Sequence, residues 1–538
     1  MNNQPKDIYE EYINAYNFKS SLGSKGLYEQ SKINERFFVG DQWYGAKCGN
    51  ERPLVRHNVI KRIGDYKMSN IAASPITVNF SADGIPNISG AKNDILNKRK
   101  EISTNPHFEF TGKTDEQEIN LIMSALSDYR NVTANRIGLD ALCAQLLKKA
   151  YISGTSLLYT YWDNTISTGL YAGKSNSAPI NGDIICEVLD IENVYFSDPY
   201  LPDIQKQPFI IIAGTKDIES VKREALIYGA DKYTLRAIEE ESQDGKIMVL
   251  TKLFKEYKSN GEVTVKCIKV TEKSTVRKEY DTRLRLYPLA IFRWEERNNL
   301  VYGESEITYL IPNQIAINRM ITANVWAAMT MGMPLMVVNG DTVSADVTND
   351  PGQIIKIYGS NEDVAGAVKY VTPPDFCSNF SNSITSLIEN TLTQSGANEV
   401  ALGDSRPDNA SALVTMRDAA VLPLQIIKNR YYDLIKQISR IWVDFWITQY
   451  GNRRIKIEDE NGIWYLPFDA ERYKQLYLTA KVSVGSDTQY GTVESINTLT
   501  SLYEKGVIDK RQFIKRIPDG IIPDSDSLLQ EILQEEEK

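Results

Sequence analysis

The chain has 538 residues, of which 42% are hydrophobic and 24% are charged, and its formal net charge is −9. This composition is typical of a globular protein with ample core, and the length predicts two to four domains. Proteins that hold nucleic acid tightly are usually basic, so the acidic balance argues against a tight DNA binder; if the protein meets DNA, we expect it to guide the DNA past and not to hold it. A modest charge for solubility explains the value equally well.

The N-terminal residues and the cysteines indicate the cellular compartment in which the protein matures. The opening residues, MNNQPKDIYEEYINAY, are polar and acidic and therefore predict no signal peptide. The five cysteines are odd in number, stand singly and show no C-x-x-C spacing: Cys48, Cys143, Cys186, Cys267 and Cys377. This pattern argues against a disulfide framework and a zinc site, and it predicts maturation in a reducing cytoplasm.

The first third of the chain is predicted to be mainly helical. Apolar periodicity predicts helices at 6–20, 25–38, 114–130 and 133–152. Asn58 is expected to cap a further helix that ends before Pro75. Residues 81–112 are polar and predict a long surface segment, and a strand is predicted at 156–162.

Between residues 184 and 293 the hydrophobic pattern changes to the alternation typical of strands. Strands are predicted at 184–190, 208–213, 248–257, 262–271 and 288–293. Ser259-Asn260-Gly261, between the third and fourth of these, is a strong hairpin turn signal. A helical pattern at 217–242 interrupts the strands.

Residues 301–338 contain the most informative pattern of the chain. Pro312 suits the first turn of a helix, so a helix of about 30 Å is predicted from Pro312 to Met331. One face carries Ile317, Ile321, Val325 and Ala328, and the neighbouring face carries Ala316, Met320, Ala323 and Ala327. These small residues suit close packing between like helices, while a core helix of a large domain fits the pattern equally well.

Polar residues within this helix exclude a membrane span. Asn318, Arg319 and Asn324 would be costly in lipid, and Gly332 and Pro334 end the helix. Short strands are then predicted near 335–338, 353–358 and 367–371, followed by helices at about 376–395 and 410–450. Pro423 is expected to kink the last of these helices, a hairpin turn is expected at 459–462, and an acidic helix at 528–538.

No arrangement of catalytic residues stands out in the sequence. The chain has two histidines, His57 and His107, and neither lies in a nucleophile motif. The run Gly169–Ser175 ends in Gly-Lys-Ser, but three residues stand where a phosphate loop needs four, and no helix start follows. We therefore predict a hairpin loop there, no enzymatic activity, no metal and no cofactor.

Basic residues recur along one predicted strand and just beyond it, at Lys252, Lys255 and Lys258. They are candidates for a contact surface. Their spacing of three does not keep them on one face of a strand, so a solvated strand is the alternative interpretation.

The order of several segments resembles that of the portal proteins of tailed bacteriophages. The resemblance covers most of residues 30–450 and is carried by Phe38–Trp43 with Asn58–Ile60, Tyr151–Thr155 leading into Leu157–Tyr159, Val188–Pro199, and Tyr302–Ile307 before the long helix. It implies a predominantly helical α+β subunit with six regions: wing 1–247 with a polar insertion at 81–112, clip 248–300, stem helix 301–338, tunnel-loop region 339–374, second part of the wing 375–484, and crown 485–538.

The resemblance also implies a function. Portal subunits form a ring, usually of twelve copies, at one vertex of the virion capsid, and assemble in the cytoplasm of the bacterial host. Double-stranded DNA is packaged through the ring by a separate terminase and later ejected, and major capsid or scaffolding protein and tail adaptor proteins dock on it. No membrane is involved. Twelve copies at −9 sum to roughly −108, a charge that discourages phosphates from adhering.

Three groups of site residues follow from the resemblance. The stem interface would be Ala316, Met320, Ala323 and Ala327; the clip contacts Lys252, Lys255 and Lys258; and the channel residues Lys356, Asn361, Glu362, Asp363 and Lys369. Residues 396–410 are an alternative channel loop. A nucleotide-dependent DNA-packaging enzyme and a non-portal capsid or adaptor protein remain as alternative functions.

Overall fold

The computed structural model describes most of the chain. The described residues are 5–45, 53–73, 76–82, 116–171, 179–259, 261–331, 335–338, 368–371, 377–397, 422–459, 462–469, 478–484, 489–509 and 513. The predicted strand at 353–358 and the predicted helix at 528–538 lie outside these residues, as do residues 83–112 of the polar segment.

The described part of the chain contains α-helices that we number in chain order. They are α1 (Pro5–Ser21), α2 (Leu27–Val39), α3 (Val59–Ala72), α4 (Glu116–Ile137), α5 (Leu139–Ser153), α6 (Ile218–Ile227), α7 (Lys232–Glu241), α8 (Glu306–Met331), α9 (Cys377–Gln394), α10 (Gln425–Gln449) and α11 (Gln489–Glu504). Asn58 caps α3 as predicted, because its Oδ1 accepts a hydrogen bond from the backbone N–H of Lys61 at 3.0 Å.

The strands are numbered in the same way. They are β1 (Ile76–Ala82), β2 (Thr155–Tyr171), β3 (Pro179–Asp190), β4 (Val194–Phe196), β5 (Phe209–Asp217), β6 (Lys246–Tyr257), β7 (Val263–Val270), β8 (Thr275–Asp281), β9 (Leu289–Arg293), β10 (Leu335–Val338), β11 (Val368–Val371), β12 (Asn452–Asp459), β13 (Gly462–Asp469) and β14 (Leu478–Val484). The five predicted strands from 184 to 293 are all present, and β4 and β8 were not predicted. Three residues of β4 are too few for alternation to be recognised.

Strand pairing is antiparallel throughout the described residues. The sheets have the orders β4-β5-β6-β7-β8, β3-β2-β9, β1-β14, β10-β11 and β12-β13. The predicted hairpins are confirmed, with Tyr257 opposite Val263 and Asp459 opposite Gly462. Helices combined with antiparallel sheets make the fold α+β, as predicted.

The chain divides into two compact units. The first, which we call unit one, consists of Met1–Glu35, Gly64–Thr308 and Asp404–Lys538; unit two consists of Arg36–Ile63 and Tyr309–Gly403. Three helices, α2, α3 and α8, each contribute residues to both units. The predicted clip at 248–300 lies within unit one. Its strands β6, β7 and β8 belong to a sheet that already begins at Val194, whereas β9 pairs with β2 in another sheet.

In unit one, the five-stranded sheet is covered on both faces. Ile8 and Tyr12 of α1 pack on one face, against Ile211 of β5 and Leu250 of β6. The helical pair α6 and α7 covers the other face, where Val221, Ala225 and Ile238 pack against Ile247, Val249 and Val276. Successive residues of a strand point to opposite faces, which is why adjacent residues such as Val249 and Leu250 belong to different clusters.

Three helix boundaries differ from the prediction. The break between α4 and α5 lies at Gly138, whose φ of 71° favours glycine, and not at residues 131–132. The helical pattern at 217–242 is two helices, and Asp231 caps the second by accepting from the backbone N–H of Thr234. Pro423 does not kink α10, since it lies in a 3₁₀ turn, Leu422–Leu424, that precedes the helix.

The start of α8 is the largest correction. The helix begins at Glu306, six residues before Pro312, which therefore lies inside the helix. Proline in a helix interior removes one backbone hydrogen bond, so the sequence favoured a later start. At 26 residues the helix is about 39 Å long. Among the described helices, none combines the length and apolar character needed to cross a lipid bilayer.

Candidate functional site

The N-terminus of α8 is fixed by a serine with two hydrogen bonds. The Oγ of Ser305 accepts from the backbone N–H of Ile307 at 3.2 Å and donates to the carbonyl oxygen of Tyr151 at 2.6 Å. The first of these bonds is an N-cap interaction, which satisfies an amide that the helix itself leaves unpaired. Ser305 thus sets the first residue of α8 and connects it to the end of α5.

The first residue of α8 forms a buried ion pair in unit one. Lys67 of α3 donates to the Oε1 of Glu306 at 2.6 Å, and the side chains are only 7% and 10% exposed. The indole Nε1 of Trp294 donates to the Oε2 of the same carboxylate at 3.1 Å. Both carboxylate oxygens therefore have a donor, which offsets part of the desolvation cost of burying the charges.

Within unit two, one face of α8 carries a ladder of polar side chains that we call the amide ladder, Gln314, Asn318 and Thr322. The Oε1 of Gln314 accepts from the backbone N–H groups of Val59 at 3.0 Å and Ile60 at 3.3 Å, and its Nε2 donates to the carbonyl oxygen of His57 at 2.6 Å. Spacing of four residues places all three side chains on one face.

The rest of the amide ladder continues along residues 42–57. The Oδ1 of Asn318 accepts from the backbone N–H of His57 at 3.1 Å, and its Nδ2 donates to the Oε1 of Gln42 at 2.6 Å. The hydroxyl of Thr322 accepts from the backbone N–H of Val55 at 3.2 Å. Gln314 and Asn318 are almost fully buried, so the ladder fixes the rotation of α8 about its own axis within unit two.

A second helix lies along α8 in unit two. Asn313 donates to the hydroxyl of Thr391 at 3.3 Å, and Asn324 donates to the hydroxyl of Ser381 at 3.3 Å. Because the residue numbers run in opposite directions, α9 is antiparallel to α8. These contacts occupy a second side of α8, next to the amide ladder.

The four predicted stem-interface residues share the remaining side of α8. At about 100° per residue, Ala323 lies roughly opposite Gln314, with the other three members close to it. Ala323 is exposed, and the other three are partly exposed: Ala316, Met320 and Ala327. We call this surface the small-residue face. Elements of unit two hold α8 by its other sides and leave this face accessible.

The three predicted clip lysines differ in their surroundings. Lys252 is buried and forms an ion pair with Glu11 of α1, and Lys255 donates to the carbonyl oxygen of Gln205. Burial lowers the pKa of Lys255. Lys258 is exposed and lies 3.9 Å from Glu262 in the hairpin of β6 and β7. The structure therefore does not bring these lysines together on one exposed surface.

Most of the predicted channel residues cannot be placed. Lys356, Asn361, Glu362 and Asp363 lie outside the described residues, as do residues 398–410 of the alternative loop. Lys369 lies in β11, opposite Val337 of β10. The choice between the two predicted channel loops stays open.

Among the described residues, the histidine and the cysteines that were considered for catalysis lie in structural surroundings. The backbone of His57 takes part in the amide ladder, and His107 lies outside the described residues. Burial raises the pKa of the Cys143 thiol to about 11 and also raises the pKa of Cys186 and Cys267, which keeps these thiols protonated and unreactive at neutral pH. Within the described ranges, His, Cys, Asp and Glu side chains form no group of three that would hold a metal ion.

The run that ends in Gly-Lys-Ser lies between two strands that pair with each other. Tyr171 of β2 is opposite Pro179 of β3, and residues 172–178 between them lie outside the described residues. A phosphate loop is followed by a helix whose N-terminus faces the phosphate. Here a strand follows, which confirms the predicted hairpin.

Sequence reasoning did not identify the amide ladder. Its residues make contacts across the chain, since Gln314 pairs with Val59 at a separation of 255 positions and Asn318 with Gln42 at 276. The available signal was the four-residue spacing of polar residues in an otherwise apolar helix. No protein-family model matches the chain, and no curated protein matches it.

Proposed function

We propose that the chain is the subunit of a portal ring of a tailed bacteriophage, a structural channel for double-stranded DNA without enzymatic activity of its own. The ring, of about twelve copies in the family that the sequence resembles, would occupy one vertex of the capsid in the virion. A terminase would drive DNA through it, and major capsid or scaffolding protein and tail adaptor proteins would dock on it.

The observation that carries this proposal is the small-residue face of α8. A polar face that is satisfied by hydrogen bonds fixes the orientation of the helix, and the opposite face presents Ala316, Met320, Ala323 and Ala327. Small side chains allow helix backbones to approach closely, and a helix of about 39 Å offers a long line of contact between neighbouring copies. A ring of identical subunits uses such a surface on every copy.

One finding weighs against the first alternative, a nucleotide-dependent packaging enzyme. The strands before and after the Gly-Lys-Ser run pair with each other, and the second of them begins at Pro179, where a phosphate loop would be followed by a helix. A non-portal capsid or adaptor protein would share the lack of catalytic residues. It would not need a long helix with one accessible small-residue face.

The test is assembly of the purified full-length chain. Size-exclusion chromatography with light scattering gives its mass, and negative-stain microscopy shows its end-on views. We expect rings with a central hole and about twelve-fold symmetry. The variants Ala323→Glu and Ala327→Glu should abolish these rings, because each places like charges between neighbouring copies, whereas Ala144→Glu, an equivalent change at an exposed position of α5, should assemble normally.

Two outcomes would contradict the proposal. Rings formed as readily by Ala323→Glu and Ala327→Glu as by the unchanged chain would show that the small-residue face is not the interface. ATP turnover by the purified chain, lost on Lys174→Ala within the Gly-Lys-Ser run, would replace the channel by the packaging enzyme.

A further inference from the structure

A polar cavity of about 210 Å³ lies in unit one, at the N-terminus of α2. One wall is the loop between α1 and α2, residues 22–26. The opposite wall is Gly303–Ser305 with Thr308, at the N-terminus of α8. The cavity shares no residue with the small-residue face and plays no part in the proposed function.

The face of α2 toward the cavity is defined by its periodicity. Leu27, Gln30, Ser31 and Asn34 all line it, and their spacing of three, four and seven residues puts them on one side of the helix. Asn34 donates to the carbonyl oxygen of Ile152 at 2.9 Å, and Gln30 donates to the Oδ1 of Asn34 at 2.9 Å. These two amides are therefore already engaged.

Ser31 differs from its neighbours on this face. It is only 8% exposed, and among the described residues its hydroxyl has no hydrogen-bond partner. The hydroxyl oxygen is not one of the fully buried unpartnered side-chain atoms, so it is open to the cavity. Its position on the cavity side of α2 means that a molecule in the cavity can supply the missing hydrogen bond.

The charges around the cavity favour an anion. Lys25 lines it and forms no ion pair with any described residue, and Arg297 lines it with its Nε 3.3 Å from Glu304. Arg297 thus balances the charge of Glu304, the carboxylate at the wall, and the positive charge of Lys25 is in excess. The N-terminus of α2 adds a partial positive charge and backbone amides that have no acceptor within the helix.

Gly26 allows the loop to come this close to the helix. Its φ is +79°, and a Cβ at this position would lie 2.3 Å from the carbonyl oxygen of Ser20. Its carbonyl oxygen accepts from the backbone N–H of Gln30 at 3.1 Å, so Gly26 occupies the N-cap of α2. A glycine N-cap brings no side chain over the start of the helix, where Leu27 lines the cavity.

We propose that this cavity binds a phosphate group, with Lys25, the hydroxyl of Ser31 and the backbone amide of Leu27 at the N-terminus of α2 as its ligands. Backbone amides at a helix N-terminus, a hydroxyl and a lysine are the groups that proteins use for phosphate. At about 30 Å³ for each water molecule, the volume admits one phosphate group with a few waters.

Equilibrium dialysis of the full-length chain against radiolabelled inorganic phosphate, at constant ionic strength, tests the proposal. We expect one saturable site per chain. Lys25→Gln should weaken binding about tenfold, since it removes a charge-assisted contact, and Ser31→Ala should weaken it about threefold to tenfold. Alanine is a better helix former than serine, so the second variant should fold normally.

Matched controls separate the site from general charge effects. Lys61→Gln removes an exposed lysine and Ser69→Ala removes an exposed helical hydroxyl, and neither residue lines the cavity. Both controls should bind phosphate like the unchanged chain. Absence of saturable binding, or equal binding by Lys25→Gln, Ser31→Ala and the controls, would overturn the proposal.

A competition experiment identifies the source of the phosphate. A thymidine dinucleotide carries one phosphodiester, and if it displaces the labelled phosphate, the cavity accepts the backbone of a nucleic acid. If it does not compete while unlabelled phosphate does, the site takes a small free phosphate. Either result agrees with the proposed ligands, provided that Lys25→Gln weakens the binding that is observed.

Discussion

The contacts that hold the first residue of α8 differ in chemistry from those that hold the body of the helix. In unit one its first residue, Glu306, is held by the charged side chain of Lys67 and by Trp294. In unit two the body of the same helix is held by neutral side chains, chiefly Gln314 and Asn318. Both groups are buried, so the difference lies in charge and not in exposure.

This difference assigns different tasks to the two regions. A buried ion pair gains little over an apolar pair, but removal of one partner leaves an uncompensated charge and is strongly destabilising. A neutral ladder costs less to bury, and each of its bonds has a fixed direction. The ion pair therefore anchors the first residue of α8, whose start is capped by Ser305, and the amide ladder fixes which face of α8 stays accessible.

The largest effect is expected from breaking the ion pair. Lys67→Met should lower the free energy of unfolding by about 3–5 kcal/mol, because the carboxylate of Glu306 is left buried with Trp294 as its remaining donor. Urea unfolding followed by tryptophan fluorescence measures the change. The control is Lys149→Met, whose pair with Asp190 at 2.8 Å is more exposed and should cost about 1 kcal/mol or less.

If Lys67→Met and Lys149→Met lower the free energy of unfolding by the same small amount, the contrast between the charged start and the neutral body of α8 is contradicted. That outcome would mean that Glu306 is hydrated or protonated after the change and that the start of α8 does not depend on charge. The variant Glu306→Gln helps to interpret such a result, since it removes the negative charge and keeps one oxygen acceptor, which serves either Lys67 or Trp294 while the amide nitrogen faces the other donor.

The second largest effect is expected in the amide ladder. Gln314→Leu should lower the free energy of unfolding of unit two by about 2–3 kcal/mol, because it removes a buried acceptor from the backbone amides of Val59 and Ile60 and a buried donor from the carbonyl oxygen of His57, although the amide of Val59 keeps its bond to that carbonyl oxygen. Hydrogen exchange gives a direct reading, since these two amides should exchange about 30-fold to 150-fold faster.

Gln145→Leu in α5 is the matched control for this change. Gln145 is exposed, and its replacement by leucine should leave amide exchange in unit two unchanged. Unchanged exchange of Val59 and Ile60 in Gln314→Leu itself would show that the ladder does not hold residues 53–60 on α8.

Local signals in the sequence predicted much of the fold. Asn58 as a helix cap and the turn before Gly261 act within a few residues of themselves, and both predictions are confirmed. The start of α8 involves distant contacts instead, since Glu306 pairs with Lys67, 239 positions before it, and the capping residue Ser305 donates to Tyr151, 154 positions before it. Pro312 carried a local signal for a helix start, and these contacts leave no such signal in the sequence.

The candidate site was predicted only in part for the same reason. The small-residue face could be read from the spacing of Ala316, Met320, Ala323 and Ala327, because helical periodicity is local. The accessibility of the small-residue face could not be predicted from the sequence, because it depends on which sides of α8 are occupied by residues 42–60 and by α9. The unpartnered hydroxyl of Ser31 likewise has no sequence signature, because the absence of a partner depends on the surrounding fold.

A smaller effect is expected at the cap of α8. Ser305→Ala should lower the free energy of unfolding by about 1–2 kcal/mol, since it removes the acceptor for the amide of Ile307 and the donor for the carbonyl oxygen of Tyr151. Ser305→Thr retains the hydroxyl and should restore most of the loss. If Ser305→Ala and Ser305→Thr lose the same free energy of unfolding, the space around Ser305, and not its hydrogen bonds, sets the helix start.

The smallest effect on unfolding is expected on the small-residue face. Ala323→Glu should change the free energy of unfolding of the separated chain by less than about 0.5 kcal/mol, because Ala323 is exposed. A glutamate on the opposite side, Asn318→Glu, should be strongly destabilising, since it buries a carboxylate and places one of its oxygens beside the side-chain oxygen of Gln42. Urea unfolding below the concentration at which the chain assembles compares the two variants. If Ala323→Glu prevents assembly without loss of stability, the small-residue face acts between chains; if it unfolds the chain as Asn318→Glu does, the face belongs to the core of unit two.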